Sequence, residues 1–350
     1  MTRTNPQITF IGLSFVFANV LTLLYFDPTY EGKDLPTWVY FSWSFGLFAY
    51  QSELHTLHTP GRNESSQQAW TRSTASRLVA SVWARPSVRC STTDVVSSRS
   101  FDRDTTDTTD AINTTLEVVL ACHALGLNRS WWTVASETAS LLNFYASTWE
   151  EYHTGTLYLS AFSGPVEGIL MIVLIYLITA LHPLHQRFWD TPIVSFIPAG
   201  YGTQAAQMLD KALGLPQQYA LAELPINVAF MIFGAFGTVG NMINSYYNVI
   251  AARHRAGKAI IPPLFGLLPF GVHTAILVAW LHSSIRGGVE LVHDARLLPF
   301  LLYWGMAAAY QVSQLILAHV TKSPFPYWNG MMIYSLFGAI DANAQWLFGR

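Results

Sequence analysis

Several side chains that could exchange protons or bind a cation are crowded into one stretch of the chain. Residues 147–156 read STWEEYHTGT, so Glu150, Glu151 and His153 fall within four positions. Two adjacent carboxylates and an imidazole could hold a cation or act as a proton shuttle. Glu167, at the start of the next apolar stretch, is a further candidate. The simpler alternative is a hydrated loop whose Trp and Tyr side chains lie at a membrane interface.

A second pair of carboxylates belongs to another apolar stretch. Asp110 lies directly before this stretch, and Glu117 lies within it. On a helix, residues seven positions apart share one face. Ionisable groups inside a membrane are costly and therefore indicate function. A metal site would need more carboxylates than this pair. A glutamate that pairs with a polar neighbour inside a helical bundle explains Glu117 equally well.

These residues belong to a chain with the composition of a polytopic membrane protein. Of its 350 residues, 51% are hydrophobic and only 11% are charged, whereas soluble domains carry about 25% charged residues. A membrane helix needs roughly 20 mostly apolar residues. On that basis the sequence predicts an all-α fold with about eight or nine transmembrane helices. The predicted helices are 8–26, 37–51, 111–127, 131–148, 163–182, 224–246, 262–282, 297–319 and 329–347.

The composition also argues against other classes of function. A formal net charge of −2 provides no basic face for a nucleic acid. Cys90 and Cys122 are too few for a disulfide framework or a metal site. The strongest basic cluster among the apolar segments is RHRAGK at 253–258, and it predicts a cytosolic loop there.

Residues 53–109 form a polar block that differs from everything around it. The block is rich in Ser, Thr and Arg and shows no helical or strand period. It divides the chain into a first part, 1–52, with two predicted helices, and a third part, 110–350, with the others. A disordered polar insert would have such a composition.

Outside the block the chain resembles a known family. The similarity lies in LPTWVYFS at 35–42, GLFAYQ at 46–51, DAINTTL at 110–116 and STWEEYHTGTLYLSAFSGPVEG at 147–168. Further matches are LLPF at 267–270 and HVTKSPFP at 319–326. These segments resemble the eukaryotic choline/ethanolaminephosphotransferases, of fungal type, within the CDP-alcohol phosphotransferase family. The long run at 147–168 makes the resemblance specific.

The resemblance implies a site that this sequence does not contain. The family signature is D-G-x2-A-R-x8-G-x3-D-x3-D, whose carboxylates hold two divalent cations, Mg²⁺ or Mn²⁺, against a pyrophosphate. A His in a D-H-G-x-D stretch acts as the base, and the Arg binds phosphate. Only the last Asp remains, as Asp110, while Thr106 and Asp102 stand where the preceding Asp and Gly belong. No catalytic residue of the signature is therefore intact.

The block can encode the missing signature in another reading frame. Read from the third base of each codon, residues 70–79 can encode D-A-F-D-G-K-Q-A-R. In the same frame, residues 87–95 can encode a Gly and then F-D-H-G-C, with the spacing of the signature. A retained intron over about 53–68 would shift the frame, and a second one after Val95 would restore it at Asp110. We infer that 53–109 is a mis-spliced or mispredicted translation of the active-site exon.

The resemblance also implies the reaction. An enzyme of this family in the endoplasmic reticulum or Golgi membrane would transfer phosphocholine or phosphoethanolamine from CDP-choline or CDP-ethanolamine to diacylglycerol and release CMP. A homodimer in the lipid bilayer is expected, as are an amphipathic stretch before the first helix and a further helix after the last. With one signature Asp, the literal chain is expected to be inactive.

Two alternatives of another class remain at this point. One is a non-catalytic membrane protein of the same fold, such as a lipid-binding pseudoenzyme. The other is a transporter with a disordered insert, which would predict internal repeats or paired broken helices. Neither feature is present in the sequence.

The reading-frame hypothesis predicts the structure of the transcript. We expect sequencing of the mRNA to show the two segments removed and the signature encoded in one continuous frame. A mature mRNA that keeps both segments as coding sequence would refute the hypothesis, and it would favour a genuine polar insert.

Overall fold

The structure is a computed structural model that describes residues 6–56, 111–155, 165–196, 223–285 and 289–344, with a few single residues between 204 and 211. Within these ranges the chain is helical, as predicted for an all-α membrane protein. The longer helices are α1 Pro6–Phe26, α2 Thr37–Thr56, α3 Ala111–Ala124, α4 Trp131–Thr154, α5 Pro165–Leu181, α6 Ile226–Arg255, α7 Ile261–Leu281, α8 Leu297–Thr321 and α9 Gly330–Ala342.

Shorter elements connect these helices. The 3₁₀ helices are His185–Asp190, Ile193–Phe196 and Leu291–His293, and α7 contains a 3₁₀ turn at Phe265–Leu267. Two short strands, β1 Ser284–Ile285 and β2 Val289–Glu290, form an antiparallel pair between α7 and α8. This pair is a local turn and does not change the fold class.

Apolar length places several of these helices in a membrane. Within the described ranges, α6, α7 and α8 are long and apolar enough to cross one. Shorter apolar helices are Leu13–Phe26, Ala111–Ala124, Gly168–Leu181 and Gly330–Ala342. Helices thus occur at the predicted positions, with differences at some of their ends, whereas the predicted number of eight or nine membrane spans stays a prediction.

Three helices extend beyond their predicted ends. α4 was predicted to end at 148 but continues to Thr154. Gly155, at φ 72°, then ends it, and its N–H donates to the Glu151 carbonyl at 2.8 Å. A glycine adopts this left-handed conformation without steric cost. α6 was predicted to end at 246 and continues to Arg255, so the basic cluster lies partly on its last turn rather than in a loop. α2 likewise continues to Thr56, four residues into the polar block.

The contacts between the longer helices form three sets. α2 packs against α1 and α5, whereas α4 packs against α6 and α8, and α7 packs against α9. Nearly every described residue of α3 is buried, as expected of a helix enclosed by other helices. Gly305 of α8 lies so close to the side chain of Thr115 that a Cβ at this position would collide with it. Small residues allow this close approach between membrane helices.

A buried aspartate holds the turn between α1 and α2. The carboxylate of Asp27 accepts hydrogen bonds from the backbone amides of Glu31 at 3.1 Å, Gly32 at 2.7 Å and Lys33 at 3.1 Å. Nε2 of His123, in the last turn of α3, lies 3.4 Å from the same carboxylate. The Asp27 turn therefore fixes the loop and joins it to α3.

The hydrogen bonds around His123 indicate which of its two ring nitrogens carries the proton. The Nε2 amide of Gln186 lies 2.9 Å from Nδ1 of His123 and donates to Tyr40 Oη at 3.0 Å. Nδ1 therefore accepts, and this network assigns the ring proton to Nε2, facing Asp27. Burial alone would raise the pKa of Asp27, but the hydrogen bonds from His123 and the three amides outweigh burial and hold the pKa well below its usual range.

This depressed pKa gives the Asp27 turn a specific pH dependence. The unfolded carboxyl titrates near about 3.9, so its stabilising contribution is full above that pH and decreases as the pH falls towards the folded pKa. We expect Asp27→Asn to cost about 1–3 kcal/mol at pH 7. The melting temperature in detergent should then differ from the parent chain by a constant amount above pH 5, and the difference should shrink below pH 4.

The exposed Asp34 provides a matched control in the same loop. Asp34→Asn should leave the melting temperature nearly unchanged at pH 7 and at pH 3. An Asp27→Asn difference that stays the same from pH 7 to pH 3 would contradict the charged, hydrogen-bonded state of Asp27.

Candidate functional site

The helices that flank the polar block meet at one end of the bundle. α2 runs from the Asp27 turn to Thr56, at the opposite end. α3 ends near the Asp27 turn and therefore begins, at Ala111, at that same opposite end. In α4, Oε1 of Glu137 accepts from Thr115 Oγ1 at 2.7 Å, as in an antiparallel pair, so α4 also ends here. We call this end, defined by Thr56, Ala111 and Thr154, the block end.

Hydrogen bonds bring three further helices to the block end. Trp149 Nε1 donates to the Pro263 carbonyl in α7 at 3.0 Å, and Tyr152 Oη donates to the Ser323 carbonyl after α8 at 2.9 Å. Nδ2 of Asn248 in α6 donates to Glu150 Oε1 at 2.8 Å. The segment at 147–155 is therefore the part of α4 against which α6, α7 and α8 converge.

Glu117 is buried and paired within its own helix. Its Oε1 accepts from Asn113 Nδ2 at 2.6 Å, one turn earlier. This geometry corresponds to the alternative in which the glutamate pairs with a polar neighbour inside the bundle. Asp110, its predicted partner on the same face, lies outside the described residues.

Glu137 is a buried carboxylate that the sequence analysis did not single out. It is fully buried, and it accepts from Thr115. Its Oε2 atom has no hydrogen-bond partner among the described residues. The criterion that selected Glu117, a carboxylate within an apolar helix, applies equally to Glu137 and would have found it.

Glu150 and Glu151 are buried rather than hydrated. Their exposed fractions are 1% and 8%, so the alternative of a solvated loop at this segment is wrong. Successive helix residues point about 100° apart, and Glu150 faces α6 through Asn248. Hence the two carboxylates leave the helix in different directions.

His153 is fixed by aromatic rings. Its ring stacks on Phe325 at 6.0 Å and lies edge-on to Tyr152 at 4.9 Å and to Trp149 at 5.7 Å. The Nε2 atom is buried and has no hydrogen-bond partner among the described residues. The ring is therefore held in place with one polar atom still able to bond.

The described residues do not fit a site for two divalent cations. No group of three or more His, Cys, Asp or Glu side chains that could hold a metal occurs among them. Glu167 lies in the first turn of α5, but its side chain is outside the described part, as are Asp110 and residues 57–109. Cation binding by Glu150, Glu151 and His153 thus stays a prediction.

A basic cleft opens at the block end. Its volume is about 480 Å³, and among the described residues it is lined by the ends of α4, α6 and α8, the start of α7 and the segment before α9. The lining residues are Tyr152, His153, Arg253, Lys258, Pro262, Pro263, Ala318, His319, Lys322, Ser323, Phe325 and Tyr327. This lining contains three residues with permanent positive charge and no carboxylate. Such a site suits an anion.

Comparison with known proteins identifies relatives over nearly the whole chain. An uncharacterized CDP-alcohol phosphatidyltransferase class-I family protein of Schizosaccharomyces pombe is 33% identical over 352 aligned residues, covering 98% of this chain and 75% of the relative. Choline/ethanolaminephosphotransferase 1 of Saccharomyces cerevisiae is 30% identical and covers 94% of this chain and 71% of the relative. Cholinephosphotransferase 1 of the same yeast is 28% identical and covers 92% of this chain and 69% of the relative. No family model matches the chain.

The buried Glu150–Asn248 pair generates a test of how α4 joins α6. Glu150→Ala would leave the amide of Asn248 without this acceptor, which costs about 1–3 kcal/mol. We expect a lower melting temperature in detergent for Glu150→Ala and a smaller loss for Glu150→Gln, which keeps an acceptor oxygen. Glu223→Ala, at an exposed carboxylate, is the control and should change little. Equal melting temperatures for Glu150→Ala and Glu223→Ala would contradict the buried pair.

Proposed function

The chain belongs to the CDP-alcohol phosphatidyltransferase class-I family, and from this we propose that its gene encodes a choline/ethanolaminephosphotransferase. The enzyme would transfer phosphocholine or phosphoethanolamine from the CDP-alcohol to diacylglycerol and release CMP. The observation that supports these substrates is the 30% identity, over 94% of the chain, with a yeast relative of that name. Endoplasmic reticulum or Golgi membrane, and a homodimer, are parts of the same proposal.

The position of the polar block is consistent with this proposal. By the resemblance, the family signature belongs between α2 and α3, and both helices have their block-side ends at the block end. An enzyme that transfers a phosphoalcohol from a water-soluble nucleotide to a lipid needs its site where water reaches the bundle. A signature between the described ends of α2 and α3 would meet this requirement.

We propose that the protein with a restored reading frame requires Mg²⁺ or Mn²⁺. The restored signature would supply carboxylates, which are the oxygen ligands that such hard cations prefer. The literal chain retains only Asp110 of these carboxylates. It therefore fits a site for two cations poorly, and we expect the literal chain to be inactive. In that form it would be a membrane pseudoenzyme of the same fold.

An activity assay on two proteins tests the proposal. We expect the chain with residues 53–109 replaced by the restored signature to release CMP from CDP-choline or CDP-ethanolamine when diacylglycerol and Mg²⁺ are present. The literal chain should stay at the background of a mock preparation. Competition between the two CDP-alcohols would then define the preferred one.

Controls test the inactivity of the literal chain and the proposed reaction separately. In the restored protein, Asp110→Asn should abolish CMP release, because it removes a proposed metal ligand. A melting temperature equal to that of the restored parent protein would show that the variant still folds. CMP release by the literal chain would disprove its inactivity. A folded restored protein that is inactive with both CDP-alcohols would disprove the proposed reaction.

A further inference from the structure

The cations of the basic cleft come from separate elements and converge. Arg253 is in the last turn of α6, Lys258 is in the following loop, and Lys322 directly follows α8. Among the described residues, none of these three side chains forms an ion pair with a carboxylate. His319 of α8 also lines the cleft. Their positive charge is thus directed into a shared space that contains no described counterion.

Two general effects place cations at this end but do not explain the cleft. Basic residues accumulate on the cytosolic side of membrane proteins, and they complement the negative ends of helix dipoles. Exposed Arg255, also in the last turn of α6, satisfies both effects and lies outside the cleft. Neither effect requires cations from two helices and a loop to line one cavity.

Two features of the lining indicate a binding site. The Nε2 atom of His153, held by its aromatic neighbours, is buried with no described partner, so it is available to bond a ligand. Lys322 has a φ of 54°, a left-handed conformation that glycine usually adopts after a helix and that costs about 1 kcal/mol or more for other residues. A lysine at this position places a cation at the cleft despite that cost.

The surroundings of the cleft indicate that its ligand comes from the membrane. Tyr327 lines the cleft and is 49% exposed, and Trp328 and Phe265 nearby in the chain are 62% and 56% exposed. Exposed aromatic rings at the end of membrane helices are typical of the lipid headgroup region. Anionic lipids are enriched in the cytosolic leaflet, where basic residues attract them.

We propose that the basic cleft binds the phosphate group of an anionic phospholipid. Arg253, Lys258 and Lys322 neutralise the phosphate charge, and Nε2 of His153 contributes a hydrogen bond. Tyr327 and the neighbouring aromatic residues contact the glycerol and the upper acyl chains. This site goes beyond the proposed transfer reaction, and it does not depend on the signature.

A binding titration on the literal chain tests the site without any turnover. The purified protein in detergent is titrated by calorimetry with dioctanoyl phosphatidic acid, dioctanoyl phosphatidylcholine, inorganic phosphate and CMP. We expect phosphatidic acid to bind more tightly than the other three, and its binding to weaken with added salt. Lys258→Gln and Lys322→Gln should each weaken it about fivefold. Arg255→Gln, which removes the same charge outside the cleft, should leave it unchanged.

The outcomes separate the possible explanations. If Arg255→Gln weakens phosphatidic acid binding as much as Lys258→Gln does, a diffuse positive surface is responsible and the proposal fails. If CMP or inorganic phosphate binds as tightly as phosphatidic acid, the site recognises a soluble phosphate, and the lipid assignment fails. Equal binding of phosphatidic acid and phosphatidylcholine by the unsubstituted chain would also refute it. Since no result depends on CMP release, failure here leaves the transferase proposal intact.

Discussion

The bundle depends on finding protein partners for polar groups that are buried away from water. Inside a membrane a buried donor or acceptor has only the protein for a partner, and α3 carries more such groups than its apolar sequence suggests. Asn113 pairs with Glu117, Thr115 with Glu137 of α4, and His123 with Asp27 after α1. Each of the last two bonds joins α3 to another part of the bundle. Close packing against Gly305 of α8 then encloses the helix.

This arrangement gives the two ends of the bundle different properties. At one end, the Asp27 turn is closed by backbone amides and by His123, so its polar groups are satisfied internally. At the block end, the Nε2 atom of His153 has no hydrogen-bond partner among the described residues, and the described lining of the cleft contains three positive side chains and no carboxylate. The Asp27 turn therefore stabilises the bundle, whereas the cleft at the block end has bonding capacity left for a ligand. The proposed lipid site lies at the second end, and so do the described ends of the two helices that flank residues 53–109.

Helix positions were predictable because the length of an apolar segment depends only on the sequence. The ends were less predictable where polar residues continue a helix. The predicted end of α4 at 148 relied on the polarity of Glu150 and Glu151, but α6 and α8 bury that turn and the helix continues to Gly155. The same argument applies to α6, whose last turn is basic. Polarity alone cannot distinguish a solvated loop from a helix turn that other helices cover.

The sequence by itself determined the membrane class, the all-α fold, the family and the loss of the signature, because apolar lengths and ordered motifs are properties of one continuous chain. It also placed carboxylates on helix faces, since spacing along a helix fixes their direction. Only the tertiary structure decided which faces meet. Asp27 pairs with His123, Glu150 with Asn248, and Arg253 approaches Lys322, across separations of 69 to 98 residues. Such contacts depend on how whole helices pack, and no local pattern encodes that packing.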